Sequence, residues 1–235
     1  MNRLKATMLC SFSLAKGKLI GLLFPAAVLM FFTHVEMLIG FDILLPLHLF
    51  TFGIIFYSRH NSFCTANAVS LKYRIYSFAA VTGAMCLIAA VVTSAAYEIS
   101  EAEQKFSFSE IYRYLISGGG VPEYSIVGMF AENLFYYISA VAVGCFVGSI
   151  RSVKGDRFTL VIMFLTTASV IGFSFLGKYC INPAIWLCTL PAAMLRYRFS
   201  AILLYILISA AALVSAYFMT YGVQRKDRRK MREAE

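Results

Sequence analysis

Few residues in this sequence combine the type and spacing that chemistry requires. Glu132, next to Asn133, lies about two turns into an apolar run that begins at Ile126. A carboxylate at such depth in a hydrocarbon layer is costly, so it must face a bundle interior or water. The functional reading of the pair is a contact on a substrate or gating pathway. The structural reading is a shallow carboxylate that snorkels or pairs with a neighbour. His34, Glu36, Asp42 and His48 fall near the same outer level and together would line an outward vestibule. The three histidines (His34, His48, His60) lack the short paired spacing of a zinc site. The six cysteines contain no C-x-x-C. Cys180 and Cys188 lie on the same side, but spacing alone does not establish a disulfide. G-x-x-x-x-G-K-[ST], H-E-x-x-H and G-x-S-x-G are all absent. Gly118-Gly119-Gly120 is a flexible break and not a phosphate cradle, since no Lys-Ser/Thr accompanies it. The expectation is a non-catalytic chain that holds no cofactor or metal of its own.

Composition dictates what must position Glu132. Of 235 residues, 60% are hydrophobic and 14% charged, against about 45–50% and about 25% in soluble domains. This balance excludes an ordinary soluble enzyme, a disordered chain and a nucleic-acid-binding module. It specifies an all-α integral membrane protein of one domain. Six cysteines are too sparse for a disulfide scaffold.

A bilayer core about 30 Å thick needs about 20 apolar residues in a helix. The sequence supplies six candidate transmembrane helices, at about 19–39, 42–58, 77–97, 126–150, 158–177 and 199–222. The second is short and carries Pro46 and His48. A further stretch, 180–195, contains Asn182, Pro183 and Pro191 and is followed by Arg196 and Arg198. It reads as re-entrant, or as short outer helices between spans five and six.

Charge sets the orientation. With six spans and both termini cytoplasmic, segments 1–18, 59–76, 151–157 and 223–235 hold sixteen of the 21 Lys and Arg residues. Seven acidic residues, Glu36, Asp42, Glu98, Glu101, Glu103, Glu110 and Glu123, fall outside. A seventh span would carry the Arg225–Arg232 cluster across the membrane, against this bias. The N-terminal run has no small-x-small cleavage site and reads as an uncleaved span.

The pieces outside the spans are distinct. Residues 1–18 form an amphipathic interfacial helix, with Leu4, Met8, Phe12 and Ala15 at helical spacing. The basic tail, 223–235, serves as an orientation signal. Segment 59–76 is the longest inner loop, with room for a short helix before the third span. Ala140, Gly144 and Gly148 recur every four residues on the fourth span, as do Ala79 and Gly83 on the third and Ala212 and Ala216 on the sixth. Such spacing lets helices approach closely, within one chain or between two.

Within the inner loop runs Thr65-Ala66-Asn67-Ala68-Val69-Ser70-Leu71-Lys72-Tyr73-Arg74-Ile75. It resembles the N-G-V-S-R-K-T loop of small bacterial ABC-2-type permeases. Asn67, Val69, Ser70 and Lys72 match; Ala68 replaces the usual glycine and Leu71 the first basic residue. The local match covers about a dozen residues, and the six-span plan covers nearly the whole chain. The resemblance implies that the loop, with Asn61, Asn67, Val69, Ser70, Lys72 and Arg74, docks on a separate cytosolic ABC ATPase. ATP and Mg would be bound by that partner, and a second permease copy or a related permease would complete the path. The expected place is a bacterial cell membrane, and the expected role is export, with a substrate the sequence does not select. The alternatives are a six-span substrate-capture subunit and a peptide-immunity membrane protein without its own transport cycle. An intramembrane enzyme is disfavoured, because no paired Asp, Ser/His or metal motif lies in the spans.

Overall fold

A computed structural model describes residues 4–17, 38–99, 126–155 and 198–234, with the single positions 157 and 161. The described residues form five helices and no strand. Helix α1 covers 4–17. The others are α2 (Leu38–Ala66), α3 (Leu71–Ile99), α4 (Ile126–Lys154) and α5 (Arg198–Ala234). The expected spans 19–39 and 158–177, the outer segment 98–125, the stretch 178–198 and the Cys180–Cys188 pair lie wholly or mostly outside the described residues.

Among the described residues, three helices are long and apolar enough to cross a membrane: Leu71–Ala96, Ile126–Val153 and Phe199–Tyr221. Even the shortest, 23 residues, extends about 35 Å at 1.5 Å per residue. The described residues are thus all-helical, as suits an α-helical membrane protein, and these helices coincide with three of the expected spans. The expected span 42–58 is the body of α2.

The bundle is organised around α4, which packs on α2, α3 and α5, while α2 also packs on α3. Within its apolar stretch α4 is 61% buried, against 17% for α5. α4 is therefore the interior helix. α5 turns Phe199, Leu207, Val214 and Phe218 outward, an apolar surface suited to lipid rather than water. The core joins Leu45, Leu49, Phe52 and Phe56 of α2, Val81, Met85 and Ala89 of α3, and Tyr137, Val141 and Cys145 of α4. The spacings, four and three on α2 and four on α3 and α4, are the helical period that builds one buried stripe per helix.

Pairwise contacts fix the register. Gly53 faces Gly144, and Ile54 faces Gly148, so α2 and α4 run parallel. The Tyr136 ring lies tilted against Tyr205, and Ser149 bonds Met219, so α4 and α5 also run parallel. Thr93 meets Tyr137, and α3 returns antiparallel from α2. One end of the bundle therefore gathers the end of α2, the start of α3 and the end of α4.

Glycine is required where α2 and α4 touch. A Cβ on Gly53 or Gly144 would strike the backbone oxygen of Val141 or Phe50, and one on Gly148 would lie 2.6 Å from the Ile54 oxygen. Gly144 and Gly148 therefore bring two backbones together, with Ala140 packed beside the core one turn away. Ala216 of α5 is buried as well. The Ala79–Gly83 pair differs: both are exposed, and a Cβ on Gly83 meets nothing within 4 Å.

α1 is helical, but its apolar stripe divides. Thr7, Ser11 and Ala15 are buried, whereas Leu9 and Phe12 remain exposed. Ser11 can turn inward because its hydroxyl donates to the Thr7 carbonyl at 2.8 Å, which satisfies it locally.

Candidate functional site

Two groups of polar residues stand out, one inside the bundle and one at its basic end. Glu132 sits six residues after the start of α4, about 9 Å along the helix axis. Its side chain is 2% exposed and that of Asn133 5%. The pair thus points into protein, and Glu132 does not snorkel to a surface. One turn further, the Tyr137 hydroxyl donates to Thr93 Oγ1 at 2.8 Å. The Thr93 hydrogen in turn goes to the Ala89 carbonyl at 3.0 Å. Ser94 of α3 is buried nearby in this register. Asn133 Nδ2 and Ser94 Oγ have no hydrogen-bond partner among the described residues. Buried polar atoms of this kind are uncommon in native proteins and call for an explanation. Of the expected vestibule residues, Asp42 and His48 lie on α2, and His48 is partly buried.

The basic end is built differently from the sequence expectation. Segment 59–76 is no 18-residue loop with a helix of its own. α2 continues to Ala66, α3 starts at Leu71, and the four residues 67–70 form the whole connection. The reason is a stripe that polar residue types disguise. Phe56, His60 and Cys64 continue the buried face of α2 at i, i+4 and i+8. The turn closes as a helix C-cap, with the Val69 amide donating to Cys64 O at 2.9 Å and the Asn67 amide to Phe63 O at 3.1 Å. Ala68 adopts φ 49°, the left-handed conformation that glycine usually occupies at this position.

Side chains lock the turn. The Arg74 guanidinium donates to Asn61 Oδ1 at 2.8 Å and more weakly to Thr65 Oγ1 at 3.5 Å. The Ser77 hydroxyl donates to the Arg74 carbonyl at 3.2 Å, so the His60 Nε2–H donates to Ser77 Oγ at 3.0 Å. Burial, aided by the Arg74 charge, pushes His60 down to about 4. Burial also raises the Cys64 thiol, so the two form no thiolate–imidazolium pair. Asn67, Ser70 and Lys72 are exposed, Val69 is partly so, and Asn61 and Arg74 are held in the lock. An open groove of about 590 Å³ separates this turn from Thr7 and Cys10 of α1.

The structure thus gathers Asn61, Asn67, Val69, Ser70, Lys72 and Arg74 at one tip, distant along the bundle from Glu132 and Asn133. His60, Ser77, Thr93, Ser94 and Tyr137 are additions. The i, i+4 continuation at 56–60–64 was a signal for the first of these; the rest depend on which helices meet. Among the described residues, no group of three or more His, Cys, Asp or Glu is placed to hold a metal ion. No family model, curated protein or solved structure matches this chain.

Proposed function

We propose that the chain is the membrane-spanning permease subunit of an ABC-2-type ATP-driven exporter in a bacterial cell membrane. It couples to a separate cytosolic ATPase, which holds ATP and Mg, through the α2–α3 tip, and works with a second permease. One observation carries this reading. The resembling loop has glycine where this chain has Ala68, and Ala68 is the one described non-glycine residue with positive φ. A glycine motif at a position that needs left-handed backbone has a physical reason to exist. The tip also presents Asn67, Ser70 and Lys72 outward on a braced turn, as a docking element requires.

The proposal includes six spans with both termini cytoplasmic. α1 lies beside the α2–α3 turn, whereas α2 starts at the opposite end of the bundle. α4 and α5 run parallel, so the end of one and the start of the next are also at opposite ends. Described ends so placed support the expected spans 19–39 and 158–177, which with α2 and the three apolar helices are the six of the proposal. Glu132 and Asn133 are then interior residues of the path, near its outer half.

The four-residue turn, in place of a separate coupling helix, favours a second reading: a substrate-capture or peptide-immunity protein without a transport cycle. Purification from the native host in mild detergent, with mass spectrometry of what remains bound, decides between them. A stoichiometric P-loop ATPase, lost in Lys72→Glu, supports the permease. A bound peptide or small molecule with no ATPase supports the second reading. Glu132→Gln tests the path: reduced transport with intact assembly is expected, and unchanged transport would return Glu132 to a packing role.

A further inference from the structure

Hydroxyls buried on the long apolar helices follow one habit. Thr93, Ser139, Ser149 and Ser209 each donate to a backbone carbonyl three or four residues back, at 2.6 to 3.0 Å. A bond of this kind satisfies the hydroxyl within its own helix. Ser94, the residue after Thr93, departs from the habit. It is 5% exposed, yet its Oγ has no hydrogen-bond partner among the described residues. On α4, Asn133 Nδ2 is in the same condition, on a side chain equally buried. The amide nitrogen carries two hydrogens to donate and the serine hydroxyl one. A buried donor without a partner costs the desolvation of that group, a cost recovered when an acceptor reaches it.

The two residues lie on one seam. Thr93 and Tyr137 bond across it at 2.8 Å. Ser94 follows Thr93 on α3, and Asn133 stands one turn before Tyr137 on α4. Because α3 and α4 run antiparallel, both steps lead toward the same end of the bundle. This seam is also the one best able to part. Close backbone approach at Gly53, Gly144 and Gly148 clasps α4 to α2, whereas Gly83 on α3 meets nothing within 4 Å. A ligand that enters between α3 and α4 displaces side chains, not a backbone clasp.

The donors call for a carbonyl oxygen. An apolar peptide inside a membrane has the complementary need, since no water is present to bond its backbone carbonyls. Lipid esters also offer carbonyls, but these stay in interfacial layers about 5–8 Å thick on each side of the hydrocarbon. Asn133 stands seven residues after the start of α4, about 10 Å along its axis, and faces protein. We infer that Ser94 and Asn133 form a hydrogen-bonding site for the backbone carbonyls of a neutral, apolar peptide held between α3 and α4. The inference rests on the reading of Glu132 and Asn133 as residues of a path, and names the class of molecule the path takes.

The test uses the full chain in phosphatidylcholine nanodiscs with tritiated acetyl-Leu-Phe-Leu-amide, and dioleoylglycerol as an ester-bearing alternative. The variants are Ser94→Ala, Asn133→Leu and, as a control, Ser209→Ala, whose hydroxyl is already satisfied by the Tyr205 carbonyl. Saturable peptide binding is expected, weakened about fivefold in Ser94→Ala and in Asn133→Leu, the effect of one neutral hydrogen bond. Ser209→Ala should bind as the parent does. Since neither donor has a partner, both variants should also keep the parent's denaturation midpoint or exceed it when no peptide is present. A lower midpoint would reveal a partner within the chain and overturn the site. No saturable binding, full binding with both residues replaced, or an equal loss in Ser209→Ala overturns it as well. Retention of dioleoylglycerol in place of the peptide, with the same dependence on both residues, overturns the peptide and gives the donors to a lipid ester. A chain that retains a stoichiometric ATPase but binds no peptide loses this inference and keeps the permease reading. Peptide binding without an ATPase does the reverse.

Discussion

Alanine at Gly144 sharply tests how α2 and α4 meet. Its Cβ would strike the Phe50 backbone oxygen, and the neighbouring glycines leave no slack, since a Cβ on Gly148 would itself lie 2.6 Å from the Ile54 oxygen. Ordinary contact begins at 3.4 Å, so the two backbones must part by roughly 0.8 Å or more along this seam, an overpacking that costs about 1–3 kcal/mol. Alanine also returns up to about 1 kcal/mol of helix propensity. Gly83→Ala on α3 carries the propensity gain alone, since its Cβ meets nothing within 4 Å. The two variants should therefore differ by about 2 kcal/mol, Gly144→Ala being the less stable. Unfolding in mixed dodecylmaltoside and dodecylsulfate micelles, followed by circular dichroism, measures the difference. Equal stability within about 0.5 kcal/mol, well inside that separation, would refute the backbone contact.

Further outcomes follow from the same contacts. Ala68→Gly should stabilise the fold by about 1 kcal/mol, because a left-handed residue with a Cβ is strained and glycine is not; denaturant midpoints that fall instead would argue against the left-handed turn. His60 is pushed down to about 4 from an ordinary 6.5, so between those values the unfolded chain binds more protons than the folded one. Its contribution to stability is complete above the ordinary range and drains as pH falls from 6.5 toward 4. His60→Gln should flatten that part of a melting-temperature profile, and a slope matching the parent's would contradict the buried imidazole. Tyr137→Phe removes the donor to Thr93 Oγ1 and should cost about 0.6–1.5 kcal/mol. A double-mutant cycle with Thr93→Val isolates that bond, and zero coupling energy would dissolve it.

The legible parts of this chain are those that follow from local pattern. Three apolar runs became described helices long and apolar enough to cross a membrane, because length and hydropathy alone decide whether a helix suits a bilayer. Segment 59–66 was illegible as helix because His60, Asn61, Ser62 and Thr65 are polar types. The burial of His60 and the bonds of His60, Asn61 and Thr65 across the turn are granted by α3, through Ser77 and Arg74, and no window on α2 contains those partners. Gly83 and Gly144 look alike in a small-residue pattern, yet only Gly144 meets a neighbour.

Glu132 and Asn133 show the same division most directly. Their depth in α4 and the cost of a charge there were readable from residue counts alone. Whether the carboxylate turned outward or into the bundle depended on the rotation of α4 against α2, α3 and α5, which the small residues permit but do not dictate. Sequence by itself determined apolar helices suited to a membrane, because hydropathy acts residue by residue. Tertiary structure alone decided which polar groups bond between helices, which histidine is buried and which glycine is indispensable, because those depend on packing between helices far apart in the chain.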